Sequence, residues 1–245
     1  MLKRLLVVLL LLLAFAYMVF AALNYAHQPN TVVCSDVSIE IKNDALQTFV
    51  KPEDIERILR QQNLFPDSSK RTSEVDFDAL EDLLCKHRLV ERAECFVSPS
   101  GRLMIHVWQH QPILRVVAAN DQYYVDVNGK KTALSNHSAA DVPVATGFIR
   151  DSVCLDRLYS LAQLIRTNET WDDFIEQICV EADGGWTLIP RIGDFELYLG
   201  QPIHLERKLN RAVSFVRDYL PQMGWDRYSK IDVSFANQIV CTKND

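Results

Sequence analysis

A long apolar segment near the start of the chain, LLVVLLLLLAFAYMVFAAL, runs from Leu5 to Leu23. The segment contains no charged residue and no proline. As a helix, these roughly 19 residues would extend about 28 Å, close to the thickness of about 30 Å of a bilayer core. Lys3 and Arg4 precede the segment and no basic cluster follows it, which predicts an N-terminus in the cytoplasm. We therefore predict a cytoplasmic tail over residues 1–4 and a transmembrane helix over residues 5–23.

A cleaved signal peptide is the alternative for this segment, with Phe20–Ala22 as a cleavage site of small residues. The apolar core of a signal peptide is usually shorter, about 7 to 15 residues, so the uncleaved anchor is the favoured interpretation. Under both interpretations the residues that follow lie outside the cytoplasm.

Six cysteines follow the apolar segment, and no two of them form a CxxC pair, which argues against a zinc site or a thioredoxin-type motif. Disulfide bonds persist outside the cytoplasm, but the sequence does not determine a pairing. Buried free thiols that pack as small apolar side chains are an equal alternative. The cysteines are Cys34, Cys85, Cys95, Cys154, Cys179 and Cys241.

The net charge of the 245 residues is −6. Proteins that bind nucleic acid contact its phosphates through a basic surface. The charge therefore argues against nucleic acid as a partner.

A compact α+β unit with the element order β-α-α-β-β is predicted over residues 32–110. Val32–Ile41 alternates apolar and polar residues towards its end, as expected of a strand with one buried face. Pro52 suits the first turn of a helix, where its missing N–H costs no hydrogen bond. A turn at Ser98–Gly101 joins two further strands.

The second helix of this unit begins in the stretch DFDALEDLL, where Asp78 and Glu81 have the spacing of a capping pair. Asp76 and Asp78 also mimic the metal-binding Asp-x-Asp motif of sugar transferases. Because carboxylates are common at helix starts, capping is the simpler explanation.

A second, β-rich region is predicted over residues 111–241. Asn128–Gly129, between two apolar runs, predicts a hairpin, and Ile192–Asp194 predicts another. Helices are predicted in CLDRLYSLAQLIR, in TWDDFIEQI and in IHLERKLNRAVSFVRDYL, the last ending at Pro221 and Gly224. In the second of these, Asp172–Asp173 would lie in the first turn, at the positive end of the helix dipole.

The final alternation of apolar and polar residues occurs in KIDVSFANQIV, where Ile231, Val233 and Phe235 share one face. A period of two predicts a strand. A last strand often forms the edge of a sheet, where backbone donors and acceptors are unpaired. The pattern leaves open whether Phe235 packs in the core or anchors a partner, and whether Asn237–Gln238 is a solvated bulge.

No catalytic motif of the GxSxG, HExxH, P-loop or GxGxxG type is present. His106 and His110 share one face of a predicted strand but have no third ligand at a suitable spacing. Two glycosylation patterns, Asn136–Ser138 and Asn168–Thr170, have meaning only in a eukaryotic host. We therefore expect a protein that is not an enzyme and that uses no cofactor and no metal.

The order of these parts resembles the FtsQ (DivIB) family of bacterial cell-division proteins. Residues 90–116 resemble the exit of that family's POTRA domain, with Pro112 at the turn. YYVDVNGKKTAL and VPVATG resemble the first strands of its β domain, and YSKIDVSFANQIV, with Asp232 and Phe235, resembles its terminal strand. The NQIVC ending resembles a Bacteroidetes-like branch of the family.

The resemblance implies an α+β fold with one transmembrane helix. A tether over residues 24–31 would lead to a POTRA domain over 32–110, a mixed β-rich domain over 111–241 that ends on an edge strand, and a tail over 242–245. The protein would be a non-catalytic scaffold of the divisome, held in the lipid bilayer of the inner membrane with its bulk in the periplasm.

The partners implied by the resemblance are FtsB/DivIC-like and FtsL-like single-span coiled-coil proteins. In the family, a partner adds a strand to the terminal edge, where backbone hydrogen bonds give affinity and buried aromatic side chains anchor the contact. The site residues implied are the anchor Phe235 and the edge residues Ala236, Asn237, Gln238, Ile239 and Val240.

Two departures from the family pattern are present. The predicted cytoplasmic tail is short, and a family arginine that pairs with the partner has no clear match. Its position reads DGGW, Asp183–Trp186, with Arg191 nearby.

A membrane-anchored extracytoplasmic enzyme, such as a glycosyltransferase that uses Asp76 and Asp78, is the alternative function. A POTRA module that serves an outer-membrane barrel ranks lower, because the chain has no tandem POTRA repeats.

Overall fold

The computed structural model describes residues 2–26, 36–43, 47–65, 71 and 75–244. Most of the predicted tether, Cys34 and the first part of the predicted strand Val32–Ile41 lie outside these residues. The described residues form an N-terminal helix and two domains, each with its own apolar core.

The N-terminal helix α1 extends over Leu2–Ala26. Its side chains are described at Arg4 and over residues 10–22, and all of these are exposed. Leu11 and Phe15, for example, expose 65% and 61% of their surface. In the part of the chain that the structure describes, no helix is long and apolar enough to cross a membrane.

The first domain has the predicted order β-α-α-β-β. Its sheet has the order β1-β3-β2, with β1 parallel and β2 antiparallel to the central strand. The two helices cover one face of this sheet, and Ile55, Leu59, Leu80 and Leu84 supply their buried side chains. The elements are β1 (Val37–Ile41), α2 (Pro52–Gln61), α3 (Phe77–Cys85), β2 (Val90–Val97) and β3 (Leu103–Gln109).

The predictions for the two helix starts of this domain are confirmed only in part. Pro52 is the first residue of α2, as predicted. The cap of α3 is Asp76, whose side chain accepts a 3.0 Å hydrogen bond from the Ala79 N–H. The predicted capping pair is therefore wrong, since Asp78 lies inside the first turn and Glu81 Oε1 accepts from the Cys95 N–H at 2.6 Å.

The second domain is built on a nine-stranded mixed sheet with the order β12-β11-β10-β9-β8-β7-β4-β5-β6. The hairpins predicted at Asn128–Gly129 and Ile192–Asp194 are confirmed, because they join β5 to β6 and β9 to β10. The strands are β4 (Pro112–Ala118), β5 (Asp121–Asp126), β6 (Lys131–Thr132), β7 (Val144–Gly147), β8 (Ile175–Val180), β9 (Trp186–Pro190), β10 (Glu196–Gly200), β11 (Tyr228–Asp232) and β12 (Val240–Lys243).

Two helical segments lie between β7 and β8. Helix α4 (Ser152–Arg166) is capped by Asp151, whose side chain accepts from the Cys154 N–H at 2.7 Å. The helix predicted over TWDDFIEQI is wrong, because only the single turn α5 (Glu169–Asp172) is helical and β8 follows it. Asp172 and Asp173 therefore lie at the end of a helical turn instead of at its positive start.

The long helix before β11 has three parts. Helix α6 (Leu205–Ser214) continues through a π-helical turn over Phe215–Tyr219 into α7 (Leu220–Met223). Pro221 does not end the helix as predicted, because the helical segment α7 includes it and extends to Met223. Gly224 ends it with a positive φ of 95°.

Hydrogen bonds join the two domains through the loop that follows β6. Ser135 Oγ donates to the Phe49 carbonyl at 2.7 Å, and Ser138 Oγ donates to the Thr48 carbonyl at 3.0 Å. His137 Nε2 lies 2.5 Å from Asp54 Oδ2. Burial alone would raise the pKa of Asp54, but hydrogen bonds from Lys51 and His137 and the nearby positive charges hold that pKa below its usual value.

Candidate partner-binding site

The last two strands of the described residues, β11 and β12, form an antiparallel hairpin. Asp232 pairs with Val240, Ile231 with Cys241 and Lys230 with Thr242. The strand β11 also pairs in parallel with β10, whereas β12 pairs only with β11 among the described residues. The outer side of β12 therefore presents the backbone groups of an edge strand.

A strand running directly from Ile231 into residues 236–240 was predicted, and this prediction is wrong. The chain leaves β11 at Asp232, turns through residues 233–239 and re-enters the sheet at Val240. Asp232 Oδ1 starts the turn by accepting a 2.8 Å hydrogen bond from the Ser234 N–H. The edge is consequently Val240–Lys243, so that only Val240 of the predicted edge residues lies on it.

Arg211 of α6 holds this turn in place. Its Nη2 donates to the Val233 carbonyl at 2.7 Å, and its Nη1 donates to the Ala236 carbonyl. Two charge-assisted bonds from one guanidinium and a 3.0 Å hydrogen bond from the Val233 N–H to the Tyr198 carbonyl of β10 fix this turn. Sequence reasoning did not find Arg211, because nothing in the helical pattern of α6 indicates a contact 22 residues further along.

The predicted anchor Phe235 lies at the tip of this turn and exposes 48% of its surface. It is not part of the apolar core of the domain, so the alternative of core packing is excluded. Ala236, Asn237 and Gln238 are also exposed. Ile239 is half-buried against the core, and Val240 exposes 42% of its surface on β12.

An exposed aromatic surface lies beside the hairpin on the π-helical turn. Phe215 stacks on Tyr219 with ring centroids 6.1 Å apart and contacts Tyr228 of β11 at 6.3 Å. Tyr219 and Met223 expose 55% and 43% of their surfaces. This surface therefore contacts β11, the strand that pairs with the edge strand β12.

Lys208 is a buried cation beneath the same hairpin. Its Nζ donates to the carbonyls of Leu199 and Gln201, each at 2.7 Å. Burial and the charge of Arg211 lower the pKa of Lys208, while Asp232 opposes the shift. Through these hydrogen bonds, Lys208 connects α6 to the end of β10, the strand that pairs with β11.

The other residues singled out in the sequence have structural partners. Asp76 caps α3. His106 contacts Phe96 with ring centroids 4.9 Å apart, whereas His110 follows the end of β3 and pairs with Asp126, so the two histidines belong to separate environments. The described residues contain no group of three or more His, Cys, Asp or Glu side chains that could hold a metal ion.

Arg191 forms an ion pair with Asp141, with Nη2 2.5 Å from Oδ1. This contact joins the β9–β10 turn to the segment before β7. The Asp141 carboxylate raises the pKa of Arg191. Because the guanidinium already has a partner within the domain, the geometry assigns it a structural contact.

The five cysteines among the described residues are free thiols. Burial, together with the charges of Glu81 and Cys85, raises the pKa of Cys95 to about 12. Cys85 is exposed at the end of α3. The described thiols therefore include one accessible side chain and one that is protected by packing.

Comparison with protein families divides the chain at the same place as the fold. Residues 32–108 match the POTRA-like domain, and residues 111–242 match the family described as FtsQ/DivIB, C-terminal related. No curated protein matches the chain. The second match covers the nine-stranded domain, including the turn at Phe235, except for the last residue of β12.

Proposed function

Because the chain belongs to the FtsQ/DivIB family, we propose that it is a non-catalytic scaffold of the bacterial divisome that binds small single-span division proteins. The observation that carries this proposal is the open edge of β12 beside the exposed side chain of Phe235. A sheet edge and an exposed aromatic side chain are the two elements that strand addition requires.

A partner strand would pair with the outer side of Val240–Lys243. Backbone hydrogen bonds would supply affinity without regard to sequence, and the alternate side chains of the added strand would supply selectivity. Phe235 would be buried by the partner at one end of this strand, and Ala236, Asn237 and Gln238 would border it. FtsB/DivIC-like and FtsL-like proteins are the partners proposed.

The exposed side chains of Tyr219 on the π-helical turn and Met223 on α7 would give the partner a second contact. An amphipathic helix that continues from the added strand would bury these side chains. Large aromatic side chains dominate the free energy of many interfaces. The π-helical turn that presents Tyr219 supports this role, because such turns often occur at functional sites.

The proposed location is the inner membrane, with the N-terminus in the cytoplasm and both domains in the periplasm. Residues 5–23 contain no charged residue, and the described side chains of α1 over residues 10–22 are exposed. A lipid bilayer is the environment in which such an apolar helix is stable. The POTRA domain would recruit the protein to the division site.

The experiment that tests the function measures binding of the full chain, in detergent, to the extracytoplasmic part of an FtsB/DivIC-like protein from the same genome. Deletion of residues 240–245 should weaken binding by at least about a hundred-fold, and Phe235→Ala by about ten-fold. Phe96→Ala is the matched control, since Phe96 is similarly exposed at 42% but lies in the POTRA domain.

A change of less than about two-fold on deletion of residues 240–245 would contradict strand addition at β12. Circular dichroism of each variant separates loss of binding from loss of fold.

A further inference from the structure

A pocket of about 350 Å³ lies between the large sheet and the loop that follows β6. Arg115 of β4 and Tyr124 of β5 line it from the sheet, and Leu134 and Asn136 line it from the loop. Its volume is at the lower end of the range of small-ligand sites. The binding edge at β12 contributes no residue to it.

Arg115 brings a positive charge to this pocket that no carboxylate neutralises. Its Nη2 donates to the side-chain oxygen of Gln122 at 3.1 Å, and it forms no ion pair with any residue that the structure describes. Its Nε is buried and has no hydrogen-bond partner in the described part of the chain. Buried polar groups of native proteins nearly always have partners, so an acceptor is missing beside this guanidinium.

Tyr124 brings a buried hydroxyl to the same place. The residue lies directly opposite Arg115 on the paired strands, and side chains in opposite positions share one face of a sheet. Tyr124 exposes 2% of its surface. Its hydroxyl oxygen accepts a 3.0 Å hydrogen bond from the Ala140 N–H, whereas its own O–H donates to no acceptor among the described residues. A group that enters the pocket would therefore accept a hydrogen bond from Tyr124.

The rest of the lining indicates that this group is an anion. No aspartate or glutamate lines the pocket. The hydroxyls of Ser135 and Ser138 already donate to backbone carbonyls of the POTRA domain, and His137 is paired with Asp54. The groups left without partners are thus an N–H of a guanidinium and a phenolic O–H, and both are donors.

A carboxylate matches these donors better than a phosphate group does. Arginine binds both kinds of anion through its planar guanidinium. One guanidinium balances the single charge of a carboxylate, whereas a phosphate group carries about −1.5 to −2 at pH 7. Leu134 and Ala139 add apolar surface to the wall, which suits a short alkyl body behind the carboxylate.

We infer that this pocket binds a carboxylate, with Arg115 as its counter-charge and the Tyr124 hydroxyl as a hydrogen-bond donor. The carboxylate is carried either by the C-terminus of a polypeptide or by a small free acid. The loop that lines the pocket also hydrogen-bonds the POTRA domain through Ser135 and Ser138. Occupancy would consequently stabilise the junction of the two domains.

The test is a titration of the full chain in detergent, in which saturation-transfer NMR follows the proton signals of each probe. The probes are acetate, N-acetyl-alanyl-alanine and the uncharged match N-acetyl-alanyl-alanine amide, with inorganic phosphate as a competitor. Both acids should bind saturably, and the amide should bind at least about ten-fold more weakly than the peptide acid. If the peptide acid binds about ten-fold more tightly than acetate, the source is a polypeptide; equal affinity identifies a free acid.

Two substitutions remove the two donors separately. Arg115→Gln should weaken binding of both acids by about ten-fold or more, and Tyr124→Phe by about ten-fold, because each removes a charge-assisted hydrogen bond. The phenylalanine retains the ring that packs on Phe49. Tyr123→Phe is the matched control, since Tyr123 is buried at the preceding position of β5 and does not line the pocket. Its affinity for the acids should equal that of the wild type.

Four results would overturn the inference. These are the absence of saturable binding by either acid, equal binding of the peptide acid and its amide, binding that neither Arg115→Gln nor Tyr124→Phe changes, and tighter binding of inorganic phosphate than of both acids.

Discussion

Arg211 Nη2 donates a 2.7 Å hydrogen bond to the carbonyl oxygen of Val233. Through this contact, helix α6 sets the path of the turn that separates β11 from β12. The position of Phe235 at the tip of the turn therefore depends on a side chain from a different element. This relationship links the stability of the turn to the proposed binding function.

Replacing Arg211 with alanine should lower the free energy of unfolding by about 1.5–3 kcal/mol, because hydrogen bonds to a charged donor contribute about that much. Binding of the partner should weaken as well, since the turn is no longer held. Urea denaturation and a binding titration measure the two effects. Arg207→Ala, at an exposed position of the same helix, is the control and should change stability by less than about 0.5 kcal/mol.

Gln109 connects the end of β3 to the segment before α2. The substitution Gln109→Leu should lower the free energy of unfolding by about 2–4 kcal/mol. Its Oε1 accepts from the N–H of Phe49 at 2.8 Å, and its Nε2 donates to the Gln47 carbonyl at 2.5 Å. The leucine would leave buried backbone groups without partners. Urea denaturation measures the free energy of unfolding, and Gln111→Leu, at an exposed position, is the control. An equal loss of stability in the two variants would contradict the role of the Gln109 side chain.

Asp54 makes the folded state sensitive to acid. Its pKa is lower in the folded protein than its ordinary value of about 3.9, so the folded state binds fewer protons. Its contribution to stability is therefore present above pH 4 or so and is lost as the pH falls through the lower folded pKa.

Asp54→Asn should accordingly reduce the difference in unfolding free energy between pH 6 and pH 3, measured by urea denaturation. Glu53→Gln, which changes a neighbouring exposed carboxylate, should leave more of this difference in place. Identical pH profiles for the wild type and Asp54→Asn would contradict a contribution of the Asp54 carboxylate to stability.

The thiols of Cys85 and Cys95 should react at very different rates. With a pKa of about 12, roughly one Cys95 thiol in ten thousand is ionised at pH 8, and the thiolate is the reactive form. Iodoacetamide followed by mass spectrometry should modify the exposed Cys85 first. Cys95 should be modified only after urea unfolds the domain, and labelling of both at similar rates in the folded protein would contradict the packing described.

The POTRA order could be predicted because its signals are local. Pro52 marks a helix start and Ser98–Gly101 marks a turn, each through backbone chemistry that neighbouring elements do not alter. Asn128–Gly129 predicted its hairpin for the same reason.

The segment 170–178 shows why other elements could not be predicted. Its apolar residues Trp171, Phe174, Ile175 and Ile178 have helical spacing, and all four are buried. The last two lie on β8 between β7 and β9, because neighbouring strands supply the hydrogen bonds that decide its conformation.

The predicted edge strand differs in its geometry from the one in the structure. Alternation through Phe235 predicted one strand, whereas the Asp232 side chain and Arg211 stabilise a turn. The edge is shifted to Val240–Lys243 as a result. The local pattern of apolar and polar residues does not indicate a contact with a helix that is distant in the sequence.

In the proposed complex, a partner strand pairs with the outer side of β12. The most direct test is amide hydrogen exchange of the full chain in detergent, with and without the extracytoplasmic part of an FtsB/DivIC-like protein. Strand addition should slow exchange by at least about ten-fold at alternate amides of Val240–Lys243, because those N–H groups gain hydrogen bonds. Amides on the edge strand Val37–Ile41 of the POTRA domain should remain unchanged. Unaltered amide exchange over Val240–Lys243 in a saturated complex would contradict pairing of a partner strand with β12.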